Sequence, residues 1–138
     1  MTDTTRTTTT TTTRVWPVLA FRDARSAIRF LGDAFGLEPV AVHPEHGPVV
    51  HAELRWPGGG GVMLSDAARP DGLLSSRPTG AASVYLVTAD PDGMFDRARA
   101  AGAEVVLGLR DEDYGSRGFT VRDPEGNLWS FGTYVGAA

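Results

Sequence analysis

The feature that most constrains this chain is an internal duplication. Asp23 recurs as Asp90, and Gly36-Leu37-Glu38 recurs as Gly102-Ala103-Glu104, each about 67 residues further on. Repetition of this kind indicates that each copy has an apolar face that it cannot bury alone. The sequence therefore predicts two copies of one supersecondary unit, packed in tandem.

The first copy has the pattern of a strand, a helix and three strands. The apolar residues of 24–35 follow the i, i+3, i+4, i+7 spacing of an amphipathic helix, with Asp23 placed to cap its start and Gly36 to end it. Apolar and β-branched runs around this helix predict strands over 15–21, 38–42, 49–56 and 61–65.

The second copy repeats this order. A helix capped by Asp90 or Asp92 and closed by Gly102 lies between a first strand and three later strands, predicted over 82–89, 103–109, 119–122 and 128–134. The last two strands flank a turn in which Asp123 can bond the backbone, Pro124 presets φ and Gly126 supplies a positive φ. These residues predict a β-hairpin.

The length of 138 residues suffices for one globular unit of two small, closely packed modules. Residues 1–14 are nearly all Thr and lack apolar periodicity, which predicts a disordered tail. We expect a first module over 15–66, a linker loop over 67–80 and a second module over 81–138, forming one domain over 15–135.

Composition excludes several classes of function. The absence of cysteine rules out disulfides, thiolate zinc sites and a cysteine nucleophile. The 13 basic residues are dispersed and the net charge is −4, which argues against a nucleic-acid partner. No apolar run approaches the ~20 residues of a membrane span, so we expect a cytoplasmic protein without a membrane partner.

The duplicated pattern and the final hairpin, in which Asp123-Pro124-Glu125-Gly126-Asn127 precedes an aromatic-rich strand, resemble the glyoxalase/bleomycin-resistance/dioxygenase proteins, the vicinal oxygen chelate superfamily. The resemblance implies an α+β fold. Tandem β-α-β-β-β modules would place eight strands around an incompletely closed, barrel-like cleft, with the helices on the convex side. It also implies a small-molecule ligand and a homodimer.

Alternation of side chains along strands divides the residues of this fold into two faces. The predicted helix-facing residues are apolar: Leu19, Phe21, Val84, Leu86, Phe119, Val121, Trp129 and Phe131. The predicted cleft-facing residues are Val18, Arg22, Tyr85, Thr120, Arg122, Ser130 and Tyr134.

The resemblance also locates a metal site. In metal-using members, His and Glu ligands lie on the first and last strand of each module. Here these positions hold Trp16, Ser83 and Ser130, and the last strand of the first module, 62–65, has no carboxylate or imidazole. Serine and tryptophan do not replace such ligands. The resemblance therefore implies the metal-free branch, without a cofactor.

A separate group of His and Glu residues occupies 43–53. His43, Glu45 and His46 fall in a Pro- and Gly-rich turn, where solvated side chains are the alternative to an unusual metal site. His51 and Glu53 project to the same side of one strand and could act as an acid/base pair.

The predicted ligand-binding residues are Trp16, His51, Glu53, Arg55, Tyr85, Thr120, Arg122 and Ser130. The aromatic members could stack on a planar ligand, as could Tyr134, whereas Trp56 and Tyr114 lie near turns.

The two arginines of this set have an alternative role. Arg55 and Arg122 lie at strand ends, where each could instead form an ion pair with Asp66 or Asp123.

The leading functional hypothesis is a metal-independent protein of the bleomycin-resistance type, which sequesters a planar antibiotic or metabolite without turnover and has no catalytic residue. One alternative is a glyoxalase-like lyase, isomerase or dioxygenase with an atypical or displaced metal site. Another is an interaction subunit with a vestigial cleft. Catalysed loss of a substrate would indicate the enzyme, and a cleft filled by its own side chains would indicate the interaction subunit.

Overall fold

The computed structural model describes residues 13–67 and 77–137. The predicted tail, apart from its last two residues, and most of the predicted linker lie outside these ranges. The elements, in chain order, are β1 (Val18–Phe21), α1 (Ala24–Phe35), β2 (Glu38–His43), β3 (His51–Arg55), β4 (Gly61–Asp66), β5 (Ser83–Val87), α2 (Pro91–Ala100), β6 (Glu104–Asp111), β7 (Arg117–Arg122) and β8 (Leu128–Gly132).

The strands form two four-stranded sheets of identical topology. Sheet 1 has the order β1-β4-β3-β2, and sheet 2 has the order β5-β8-β7-β6. In each sheet the first strand pairs in parallel with the last, and the remaining pairs are antiparallel. The predicted α+β fold of tandem β-α-β-β-β modules, open rather than closed into a barrel, is confirmed.

The helices begin at the residues that the sequence indicated. The side chain of Asp23 caps α1 by accepting from a backbone N–H three residues on, at 3.1 Å, and Gly36 follows the helix with φ 82°. Of the two candidates for α2, Asp90 is the cap, whereas Asp92 forms an ion pair with Arg117 at 2.8 Å. No helix within the described ranges is long and apolar enough to cross a membrane.

The carboxylate of Asp123 organises the final hairpin, as its turn position predicted. One oxygen accepts from the backbone N–H groups of Glu125 and Asn127, at 2.9 and 3.0 Å. The other accepts from the Asn127 side chain and the Trp129 indole, each at 2.9 Å. Asp123 is therefore not the ion-pair partner of Arg122, and that alternative is wrong.

The carboxylate of Asp66 has a similar task in the first module. It is buried and accepts from the backbone N–H groups of Ala24 and Val49. The alternative of an ion pair between Asp66 and Arg55 is therefore wrong as well, because the Asp66 oxygens are taken up by the start of α1 and by the loop before β3.

One apolar core joins the two modules. Phe35 of α1 contacts Trp129 and Phe131 of β8, with ring centroids 5.4 and 4.9 Å apart. Phe95 of α2 meets Phe119 of β7 at 5.1 Å, and Phe119 stacks on Phe131 at 5.0 Å. Both helices and one face of each sheet therefore share this core, and the opposite face, here called the outer face of each sheet, points away from it.

The predicted helix-facing side of the strands is confirmed. Of the predicted helix-facing residues, Val84 is partly buried and packs against the core, and the others are buried: Leu19, Phe21, Leu86, Phe119, Val121, Trp129 and Phe131. Among the predicted cleft-facing residues, Val18, Tyr85 and Tyr134 are about half exposed.

Candidate functional site

A cavity of about 250 Å³ lies on the outer face of sheet 2. Its lining includes Tyr85 of β5, Arg110 of β6, Thr120 of β7 and Ser130 of β8, together with Tyr114 from the loop between β6 and β7. We call it the tyrosine cavity. Three of the predicted ligand-binding residues, Tyr85, Thr120 and Ser130, meet in it.

A larger cavity, of about 990 Å³, lies on the outer face of sheet 1. Trp16, Val40, Glu53, Arg55 and Trp56 contribute to its lining, and we call it the tryptophan cavity. It contains three further residues of the predicted set, namely Trp16, Glu53 and Arg55. The structure therefore divides the predicted site between two cavities, one on each module.

The remaining two predicted residues have different positions. His51 is hydrogen bonded to Glu53 and thus lies beside the tryptophan cavity. Arg122 lies at the far end of β7, where its Nε is 3.5 Å from the carboxylate of Glu104. It is not part of the lining of either cavity as the structure describes them.

Two neighbouring hydroxyl groups line the tyrosine cavity. Thr120 and Ser130 are cross-strand neighbours whose side-chain oxygens lie 2.8 Å apart, and Tyr85 is the neighbour of Ser130 on the other side. One hydroxyl donates to the other, so the proton of the accepting hydroxyl remains available to a third group. The pair can therefore donate one hydrogen bond to a molecule in the cavity.

The residues present do not fit the divalent metal that this fold can carry. The expected ligand position on β8 holds Ser130, whose hydroxyl is bonded to Thr120. In the first module, Trp16 packs against Gly61 and has no atom that can coordinate a metal ion. Across residues 13–67 and 77–137, no three His, Asp or Glu side chains are grouped so that they could hold a metal ion. We therefore derive no chemistry through a metal.

All three tyrosines of the chain meet at one end of sheet 2. The Tyr85 hydroxyl donates to the carbonyl of Tyr134 at 2.7 Å, and the rings of Tyr114 and Tyr134 meet edge to face at 5.6 Å. Space for this arrangement comes from Gly132, where a Cβ atom would lie 2.7 Å from the Tyr85 hydroxyl and 3.0 Å from Ser116 Oγ. The sequence placed Tyr114 only near a turn. The antiparallel pairing of β7 with β8 brings the residues before β7, including Tyr114, beside those after β8, including Tyr134, and this pairing is the signal that could have located it.

Burial raises the pKa of the Tyr85 hydroxyl above its usual value. Although the residue is about half exposed, its hydroxyl packs against Gly132 and Ser116. In the unfolded chain the group ionises near its usual pKa, about 10. Its contribution to folding is therefore fully present below that pH and is lost as the pH rises through the higher pKa of the folded state.

We expect a late step in the ionisation of the tyrosines. Absorbance of the folded protein at alkaline pH should show an ionisation step at a pH above the usual range for tyrosine. Tyr85→Phe should remove this step. Tyr114→Phe is the matched control, because Tyr114 is the more exposed ring. A late step that persists in Tyr85→Phe would contradict the assignment.

The predicted acid/base pair is formed on the outer face of sheet 1. His51 Nε2 lies 2.8 Å from Glu53 Oε2, and both side chains are partly exposed. His43 is the cross-strand partner of His51, whereas His46 lies in the exposed turn, 3.8 Å from Glu45. A His–Glu pair at this distance can pass a proton to a bound molecule.

Comparison with known proteins agrees with this architecture. Residues 13–131 match the sequence model of the Glyoxalase/Bleomycin resistance protein/Dioxygenase superfamily. The chain belongs to this superfamily, and the predicted family is confirmed.

Individual proteins are similar to this chain in sequence, in structure or in both. TioX from a Micromonospora species is 33% identical, with a TM-score of 0.75, over 88% of this chain and 100% of TioX. An uncharacterized protein of Mycobacterium bovis is 37% identical over 124 residues, which are 86% of this chain and 82% of that protein. A superfamily member from Sphaerobacter thermophilus is similar in fold, with a TM-score of 0.67 at 18% identity, over 86% of this chain and 96% of that one.

Proposed function

We propose that the protein binds a small planar molecule without using a metal ion, as a sequestering protein of the bleomycin-resistance type. The observation that carries this proposal is the hydrogen-bonded hydroxyl pair of Thr120 and Ser130. In metal-using members of the superfamily, the position of Ser130 holds a metal ligand. A hydrogen-bonding group between aromatic walls suits recognition of a flat polar molecule.

Exposed aromatic rings supply those walls. Tyr85 and Tyr114 line the tyrosine cavity, at 47% and 64% exposure, and Trp16 lines the tryptophan cavity. Rings of this kind bury much area on a planar ligand and lose little conformational entropy. The cavities also have open volume, which favours binding over the alternative of a vestigial cleft filled by its own side chains.

We further propose that a second copy of the chain completes the site. The inner faces of both sheets are occupied by the shared core, so each outer face supplies one wall only. In a homodimer, the outer face of sheet 1 of one subunit can oppose the outer face of sheet 2 of its partner. Trp16, His51 and Glu53 would then face Tyr85 and Ser130 across one cleft.

A metal-independent enzyme is the second candidate. The observation that favours it is the 2.8 Å contact between His51 and Glu53, which provides a group for proton transfer beside a cavity. Mass spectrometry of the ligand after incubation distinguishes the two functions, because sequestration returns the ligand unchanged.

The test is a titration of Trp fluorescence with a panel of two-ring aromatic compounds. Binding is expected in the presence of a metal chelator, and Trp16→Phe and Tyr85→Ala should each weaken it about tenfold through lost ring contacts. Val106→Thr, a change at an exposed β6 position outside the cavity lining, is the control. Loss of binding on chelation, or equal binding by wild type and both ring variants, would sink the proposal.

A further inference from the structure

We propose that Arg110 makes the tyrosine cavity selective for planar ligands that carry a carboxylate. This inference rests on the proposed function, since it names the ligand class of that same site. It begins from the charged groups in the cavity lining, which are Arg110 and Glu112.

Glu112 holds the guanidinium group of Arg110 in one orientation. Arg110 Nε donates to Glu112 Oε2 at 2.6 Å, and the backbone N–H of Glu112 donates to the carbonyl of Ser116 at 2.7 Å. A guanidinium group held through Nε keeps its plane fixed, because the group is rigid and flat. Glu112 is therefore a positioning residue.

The other nitrogens of Arg110 remain available to a ligand. Among the polar contacts of the described residues, those of Arg110 involve Nε and leave Nη1 and Nη2 unused. The side chain is 54% exposed and belongs to the lining of the cavity. Their parallel N–H groups match the two oxygens of a carboxylate, which favours a bidentate, charge-assisted contact.

The neighbouring groups favour an acid that is also flat. The carboxylate of Glu112 offsets the charge of Arg110, so long-range attraction of a simple anion is weak and discrimination depends on direct contact with the guanidinium nitrogens. Ring contacts with Tyr85 and Tyr114 must contribute to affinity, and the Arg110 fork then distinguishes a carboxylate from a neutral group of the same shape. The site described is one for an aromatic carboxylate.

Arg122, which the sequence predicted as a ligand-binding residue, provides a matched control. Its Nε also faces a glutamate, Glu104, and its side chain has a similar exposure, 41%. It differs in position, because it lies outside the lining of the tyrosine cavity. If binding depends only on positive charge on sheet 2, replacement of either arginine weakens it. If it depends on a specific contact, only replacement of Arg110 does.

The experiment is calorimetric titration with 2-naphthoate and with 2-naphthamide, which share a ring system and differ in charge. Wild type is expected to bind the acid at least about tenfold more tightly than the amide, the ratio that one charge-assisted contact supplies. Arg110→Gln should bring the ratio close to one, Arg110→Lys should give an intermediate ratio, and Arg122→Gln should keep the wild-type ratio. Thermal melts confirm that each variant is folded.

The outcomes separate this inference from the function on which it rests. Equal affinity of wild type for acid and amide, or an unchanged ratio in Arg110→Gln, would overturn the selectivity and leave binding of planar molecules intact. An equal effect of Arg122→Gln would overturn the assignment to Arg110. Failure of both compounds to bind wild type would overturn the proposed function together with the inference.

Discussion

Replacement of Asp123 by Asn is expected to lower the free energy of unfolding by about 3 kcal/mol. The carboxylate is buried and accepts four hydrogen bonds, two on each oxygen. An amide has one accepting end only. Whichever way it is turned, its NH2 group faces two N–H donors: either the backbone of Glu125 and Asn127, or the side chains of Asn127 and Trp129.

Urea unfolding of the two proteins measures this effect, with Asp96→Asn as the control. Asp96 is exposed on α2, so the same change of charge there should alter the unfolding free energy by less than about 0.5 kcal/mol. A loss of less than about 1 kcal/mol in Asp123→Asn would show that the hairpin tolerates unpaired donors at this position.

Mixing two binding-defective subunits is expected to restore one binding site per dimer. Trp16→Ala and Tyr85→Ala should each weaken binding of 2-naphthoate when present in both subunits. If each cleft combines sheet 1 of one subunit with sheet 2 of its partner, a heterodimer of the two variants has one cleft with both rings and one cleft with neither.

Co-expression with two different tags isolates the heterodimer, and calorimetry then gives its stoichiometry and affinity. We expect one molecule bound per dimer with wild-type affinity. If both rings act within the same chain, no site of wild-type affinity appears, and the shared-cleft proposal is wrong. Sedimentation of wild type as a species near its chain mass of 14.7 kDa would contradict the dimer itself.

Local signals in the sequence were sufficient to predict the elements and their faces. Asp23 and Gly36 act at the ends of α1 through bonds and backbone angles within a few residues, so their roles depend little on the rest of the fold. The hairpin around Asp123 is similarly local. Strand alternation then identified the core correctly, because most strands contain few irregularities that would reverse it.

The position of Arg110 could not be obtained in this way, because β6 is irregular. Its pairing with β7 shifts between Val105 and Leu107 and again between Leu107 and Arg110. Leu107 and Arg110 consequently both line the tyrosine cavity, although simple alternation puts them on opposite faces. Arg122, on a regular strand, was easier to propose and lies outside the cavity.

The separation of the predicted site into two cavities could not be predicted from the sequence either. Periodicity shows which face of a strand is apolar, but it does not show which module lies against that face. Here Phe35 of α1 reaches across to β8, so the two sheets share their inner sides and leave their outer faces apart. Packing between distant parts of the chain decided this arrangement.

The packing of Phe35 has a consequence for synthesis on the ribosome. Phe35 emerges early, but its ring partners Trp129 and Phe131 belong to the last strand to be translated. The carboxylate of Glu125, which accepts from the backbone N–H groups of Arg22 and Asp23 before α1, is also made late. In nascent chains that end before β8, Phe35 therefore lacks these ring partners, and apolar surface exposed in this way favours aggregation. The packing of the first module is therefore complete only when the last strand of the second has been made.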